Sequence, residues 1–127
     1  MSIEENKAIV RRLYEQSMVK GNLDVIEELA AEDYVDHTAW PGFPPNRDGW
    51  RQSIAQTMSA LEDLKLEIKD MIGEGDKVAA IITVTGTHKG ELSGVPPSGK
   101  PVSITSISIY RVADGKVVES WDANNLS

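Results

Sequence analysis

The sequence predicts one α+β domain spanning residues 1–127, with helices first and an antiparallel sheet after them. Three observations carry this. Up to Leu61 the apolar residues recur at helical spacing, and from Leu64 onward they alternate. No linker, repeat or low-complexity tract divides the two halves.

The helical half opens on Ser2 and Glu5, three residues apart, the spacing of a capping box. Ile3, Ile9, Val10, Leu13, Tyr14 and Met18 then fall on one helical face. Gly21 offers a left-handed stop, and Asn22 is placed to cap a short second helix. Leu23, Ile26, Leu29 and Ala30 would be its inner face. A third helix is expected to begin near Asn46 or Asp48, with Trp50, Ile54, Met58 and Leu61 as its inner stripe.

In the second half Leu64, Leu66 and Ile68 alternate with Lys65, Glu67 and Lys69, the pattern of a half-buried strand. Glu74-Gly75-Asp76 turns into a long strand from Val78 to His88. The connection GELSGVPPSGKP leads to a strand from Val102 to Val112, and Ala113-Asp114-Gly115 turns into a last one, Lys116 to Asp122. Short turns between successive strands predict an antiparallel meander. Along Val78 to His88 neither face carries charge before the end of the strand. The even face should therefore meet the helices. The odd face, Ala79, Ile81, Thr83 and Thr85, should meet a second subunit in a homodimer. Ile104 and Ile107 differ in parity, which predicts a bulge at Thr105 and Ser106 that bends the sheet around a cavity.

Composition narrows the function. The formal net charge is −7, with no Lys/Arg cluster, which argues against nucleic-acid binding. The absence of cysteine excludes disulfide and thiolate chemistry. The start MSIEENK lacks the basic and apolar regions of a signal peptide, and no apolar run is long enough to span a bilayer. A cytoplasmic protein without membrane contact is expected. Two histidines, with carboxylates not spaced as ligands, predict no metal site.

The segments NKAIVRRLYE, KGNLDVIEELAAEDYVDH, GTHKGELSGVPPSGKPV and YRVADGKVVESWD occur in this order over nearly the whole chain. In that order and spacing they resemble the SnoaL-like polyketide cyclases, or ester cyclases, of the nuclear transport factor two-like superfamily. The resemblance implies a cone-shaped, curved antiparallel sheet with N-terminal helices packed on its concave face, enclosing an apolar pocket. It implies cofactor-free acid–base chemistry on a small apolar or aromatic molecule, typically intramolecular aldol closure of an ester or ketone. Other branches of the superfamily act as epoxide hydrolases or ketosteroid isomerases. A carrier or sensor using the pocket without chemistry, or a structural dimerisation module, would fit the same fold.

The resemblance also points to residues. An acid–base aspartate on the last strand matches Asp122, and a histidine early in the pocket matches His37. Ser108 and Ser120 stand where relatives carry histidines. Position alone favours Asp122 as a solvated acid at the end of a terminal strand. In a pocket it would be poorly solvated and tuned for proton transfer. His37 would then hydrogen-bond the substrate oxygen that gains charge, the alternative being a histidine bonded to nearby backbone. Ser106, Ser108 and Tyr110 share one strand face, Ser120 shares the face of Asp122, and Tyr14 lies on the inner stripe of the first helix. Their hydroxyls either hold a substrate or fill a bend and pack the core. Trp40 and Phe43, framed by prolines, either close the cavity mouth over a flat ligand or anchor a stiff surface loop. Trp50 reads as helix core, and His88 as a structural or solvent-facing residue at a hairpin rim.

Overall fold

In the computed structural model, which describes residues 2–91 and 96–125, three helices cover one face of a five-stranded, curled sheet that does not close on itself. Residues 92–95 of the Gly/Pro-rich connection lie outside the described residues. Helix α1 spans Ile3–Tyr14 and begins at the expected capping box. Ser2 N donates to Glu5 Oε1 at 3.0 Å, and Glu5 N donates to Ser2 Oγ at 3.1 Å. The Ser2 hydrogen bonds hold the Glu5 carboxyl below its usual range. Val10, Leu13 and Tyr14 are buried. The helix runs on into one π-helical turn, Glu15–Val19, closed by Lys20 N donating to Glu15 O. Gly21 follows in the left-handed conformation, φ +73°, that the absence of a Cβ makes inexpensive. Helix α2 covers only Val25–Leu29, with Asp24 as its N-cap residue, so Asn22 is not the cap.

The first strand, β1 (Ala30–Asp36), lies where the sequence suggested the end of a helix. Ala30 and Tyr34 are both buried, four residues apart, which imitates helical spacing. The strand is irregular. Its pairing with the last strand advances from Ala30↔Val117 directly to Val35↔Glu119, and the exposed Glu32 and Asp33 lie in that register shift. Helix α3 (Arg47–Ala60) starts at Asn46, whose side chain accepts from Gly49 N at 3.0 Å. Four strands complete the sheet: β2 (Leu61–Glu74), β3 (Lys77–His88), β4 (Pro101–Ala113) and β5 (Lys116–Asn124). Their order is β1-β5-β4-β3-β2. The expected antiparallel meander is present, and β1 adds a parallel edge beside β5. Among the described residues no helix is long and apolar enough to cross a membrane.

The expected bulge at Thr105 and Ser106 is absent. Pairing of β3 with β4 runs unbroken from Lys77↔Arg111 to Thr87↔Pro101. The register shifts lie instead in β2, at Glu62/Lys65 and Ile68/Asp70, and between Arg111 and Val112 against β5. Regular alternation holds through β4 because both of its faces carry isoleucine. Ile104 is buried, whereas Ile107 is 52% exposed on the opposite face.

Val78, Ala80, Ile82 and Val84 are buried on the helix-covered face, as their parity predicts. They join Val10, Val25, Ile26 and Val117 in one core. The other face aligns Ile72, Ala79, Ile109 and Trp121 in one cross-strand row and Ile81, Ile107 and Ala123 in the next. The expected homodimer would place a second copy over these rows, removing their apolar surface from water. Ile107→Asp would then put a charge into the contact and shift the protein toward monomer in sedimentation velocity at micromolar concentration, without loss of secondary structure. A wild-type chain that sediments as a monomer there removes the dimer.

Candidate functional site

Between the helices and the inner face of the sheet lies a cavity of about 120 Å³. Leu13, Tyr14, Ser17 and Met18 line it from α1 and the π-helical turn. Trp50, Ser53, Ile54 and Thr57 line it from α3. The sheet supplies Asp36, Ile82, Ser106, Ser108, Tyr110, Asp122 and Asn124, and the segment after β1 supplies Thr38, Trp40, Phe43 and Pro44. Exposed Thr38, Pro44 and Asn124 mark its mouth.

Strand alternation explains why these groups meet. Ser106, Ser108 and Tyr110 share the inner face of β4, opposite Ile82, Ala80 and Val78 of β3. On β5, Ser120 and Asp122 face inward while Glu119 and Trp121 face outward, in register with Tyr110, Ser108, Arg111 and Ile109 of β4. Asp122 therefore lies beside Ser108, whose hydroxyl donates a short hydrogen bond to Asp122 Oδ1. The backbone N–H of Asp122 donates to Thr38 Oγ1 at 2.7 Å. Burial raises the Asp122 carboxyl from its ordinary 3.8 to about 6, the charge of Asp36 adds to the rise, and the hydrogen bonds from Ser108 and Thr38 oppose it.

Beside this acid stands a set of aromatic rings. Tyr14 and Tyr110 meet edge to face at 6.0 Å, with their hydroxyls 2.7 Å apart. Trp50 stacks on Tyr110 at 6.0 Å and on Tyr34 at 4.8 Å. Burial pushes all three phenols up, so they remain neutral proton donors at ordinary pH. Trp40 and Phe43 stand 6.3 Å apart in the loop that closes the cavity from the side of β1. That loop is fixed by Asp36 N donating to Pro45 O at 3.1 Å.

The structure thus brings Asp122, Tyr14, Trp40, Phe43, Ser106, Ser108 and Tyr110 to one cavity, but not His37 or Ser120. His37 follows Asp36 in strand parity and so projects to the outer face. Its ring stacks on Trp121 at 4.8 Å, and Nε2 lies 2.9 Å from Glu119 Oε2. Glu119 is also gripped by Arg111, through Nε at 2.8 Å and Nη2 at 2.6 Å. These bonds, with His37 second, keep its carboxyl below the usual range. His37 therefore does not line the cavity with Asp122, as the expected role at the substrate oxygen would require. Ser120 faces inward but lies behind the wall, bonded to the Tyr34 hydroxyl and buried. It steadies Tyr34, which supports Trp50. His88 does not face solvent; it is 3% exposed at the end of β3 and outside the cavity lining.

Sequence reasoning missed Asp36, Thr38 and the cavity face of Trp50. The signal for Asp36 was its parity with Tyr34. Once residues 30–36 are a strand with Tyr34 inside, Asp36 is inside and His37 outside. Among the described residues no group of three His, Cys, Asp or Glu is placed to hold a metal.

Two outcomes follow from this geometry. The first concerns Gly49, where an added Cβ would lie 1.7 Å from Pro44 O. Gly49→Ala must separate α3 from the mouth loop and is expected to destabilise the fold by about 1–3 kcal/mol in urea titration. The second concerns Asp122. Its carboxyl holds a proton more tightly folded than unfolded, so its contribution to stability is present below pH 3.8. That contribution is lost as pH rises through about 6, amounting to at most about 3 kcal/mol. Asp122→Asn should remove this loss. Urea midpoints at pH 4 and pH 7.5 should fall less in the variant than in wild type, and equal falls would contradict the buried-acid geometry.

Comparison with known proteins places this architecture. The family model of the SnoaL-like polyketide cyclases matches residues 8–127. The nogalonic acid methyl ester cyclase of Streptomyces nogalater is 26% identical over 110 residues, covering 80% of this chain and 78% of that protein. AclR from Streptomyces galilaeus, whose proposed activity is hydroxylation, superposes with a TM-score of 0.82 at 34% identity over 98% of this chain and 91% of its own. TsrD from Streptomyces laurentii superposes with a TM-score of 0.87 at 25% identity, covering 98% of this chain and 91% of that one. The chain belongs to the SnoaL-like polyketide cyclase family.

Proposed function

We propose that this member of the SnoaL-like cyclases is a cofactor-free acid–base enzyme that closes a ring by intramolecular aldol addition, with Asp122 as the proton-transfer group. The observation that carries the reading is Asp122 itself. It is a carboxyl drawn into an apolar, aromatic-lined cavity, with its proton affinity raised to about 6 and a cluster of hydroxyls beside it. Among the lining residues there is no lysine, arginine or histidine, which suits an uncharged ester or ketone better than a free acid. The nogalonic acid methyl ester cyclase is named for an ester of that kind.

The steps balance without an added oxidant or reductant. The Asp122 carboxylate takes a proton from the carbon next to a carbonyl, and the negative charge moves to the carbonyl oxygen. That carbon attacks a second carbonyl of the same molecule, forming the new C–C bond. The alkoxide produced takes the proton back from Asp122. Of the two phenolic protons of Tyr14 and Tyr110, one lies between their oxygens, and the other is available to the oxygen that gains charge. Trp40, Phe43 and Trp50 offer flat apolar surfaces to a planar ligand, whose remainder would emerge past the mouth.

The test is turnover on a panel of polyketide methyl esters with no metal or cofactor added. Activity should rise with pH through about 6 as Asp122 ionises. Asp122→Asn should lower kcat by about 10²–10⁴-fold while the fold and most ligand affinity remain. His37→Ala should stay near wild type. Full turnover by Asp122→Asn would remove the mechanism. Equal binding to both proteins without reaction would make the chain a carrier, and oxygen uptake with substrate would favour hydroxylation.

A further inference from the structure

The pairing of β1 with β5 ends at Asp36↔Ser120, and one further backbone bond follows it, His37 N donating to Ser120 O at 3.0 Å. Two residues further along β5 the Asp122 N–H donates to a side chain instead, Thr38 Oγ1, at 2.7 Å. The threonine hydroxyl thus stands where a continuing strand would offer a carbonyl. It is aimed by Asp36, since Thr38 N and Oγ1 both donate to Asp36 Oδ1, at 3.0 and 3.3 Å. With its proton directed at Asp36, the hydroxyl turns a lone pair to the Asp122 amide. The other edge of β5 is tied separately. Ser108 on β4 bonds Asp122 Oδ1, Asn125 N donates to Thr105 O at 3.2 Å, and Thr105 N donates to Asn125 Oδ1 at 2.9 Å.

We propose that Thr38 is a positioning residue: held by Asp36, it grips the backbone of Asp122 and so keeps the Asp122 carboxyl against Ser108 and directed into the cavity. This rests on the reading of Asp122 as the proton-transfer group. The contact is with the main chain, so Thr38 fixes where the acid sits. Thr38 itself is exposed at the mouth, and loss of its hydroxyl opens no hole in the core. Stability should therefore change little. Proton transfer is more demanding, because a misplacement of about 1 Å can cost about 10²-fold in rate.

The experiment compares wild type with Thr38→Val, which keeps the shape and loses the hydroxyl, and with Thr38→Ser, which keeps the hydroxyl. Two readouts need no substrate. In ¹⁵N-labelled protein the Asp122 amide should exchange with solvent at least about tenfold faster in Thr38→Val, and close to the wild-type rate in Thr38→Ser. In protein labelled with ¹³C at aspartate carboxyls, the Asp122 midpoint should rise in Thr38→Val, because burial still raises it while the Ser108 bond that opposes the rise is loosened. The third readout is turnover on the polyketide methyl esters. In Thr38→Val kcat should fall by about 10–10²-fold with KM within about threefold, and Thr38→Ser should recover most of the loss. An Asp122 amide that exchanges as in wild type overturns the contact, and faster exchange with an unmoved midpoint overturns the positioning. Full kcat in Thr38→Val on a reacting ester overturns the proposal and leaves Asp122 as the acid. If wild type turns over no ester, the cyclase reading falls, and the two substrate-free readouts decide on Thr38 alone. Thr38→Ala takes the place of a Thr38→Val that does not fold.

Discussion

The arrangement turns on a carboxylate drawn partly out of water without a lysine, arginine or histidine in the cavity lining to receive it. A buried acid of that kind is tolerated only where hydrogen bonds replace part of its hydration. Here Ser108 donates to the carboxylate, and Thr38 holds the backbone of Asp122 in place. Other features make those contacts possible. The π-helical turn after α1 carries Ser17 and Met18 to the cavity wall, β4 lines up Ser106, Ser108 and Tyr110, and β1 brings Asp36 and Thr38 to the rim. Ser17 is buried with its hydroxyl spent on Leu13 O, so it fills the wall without leaving a polar group unsatisfied.

Alternation along β5 separates two chemistries within a few residues. Inward, Ser120 and Asp122 serve the Tyr34 anchor and the cavity. Outward, Glu119 and Trp121 gather Arg111 and His37 into a charged and aromatic cluster. The sheet is one residue thick, yet its two faces differ in charge balance: cations and anions pair outside, whereas the cavity is lined by acids and uncharged polar groups without lysine, arginine or histidine. This division explains why a histidine next in sequence to a cavity acid has no access to the cavity.

Much of this was legible before any coordinates. The capping box, the helix-covered face of β3 and the meander follow from local spacing and turn residues, which act over a few positions. Ser108 and Tyr110 share a strand face and Tyr14 lies on a helical stripe, but Asp122 enters the pocket only on the family resemblance, since its position alone favours a solvated acid. Residues 30–36 were misread because the irregular strand repeats its buried positions at four, as a helix does, and the pairing that makes it a strand comes from β5, more than 80 residues away. Without that strand Asp36 has no inward parity, and His37 reads as a pocket residue on the family resemblance. The bulge near Thr105 was misplaced for a related reason: isoleucine on a surface reads the same as isoleucine in a core, and only the packing distinguishes them.

The parallel pairing of β1 with β5 has a consequence for how the chain comes into being. A ribosome releases β1 before β5, so β1 waits with both edges unpaired while roughly 80 intervening residues are made. Contacts of such long sequence separation close late, after the entropy of the intervening loop has been overcome. Helix α1 and the β2–β3 hairpin can associate beforehand, but Asp36 and Asp122 meet only when the last strand docks between β1 and β4. The two acids are thus brought to one cavity only after β5 has been made, and nascent chains without it carry Asp36 alone.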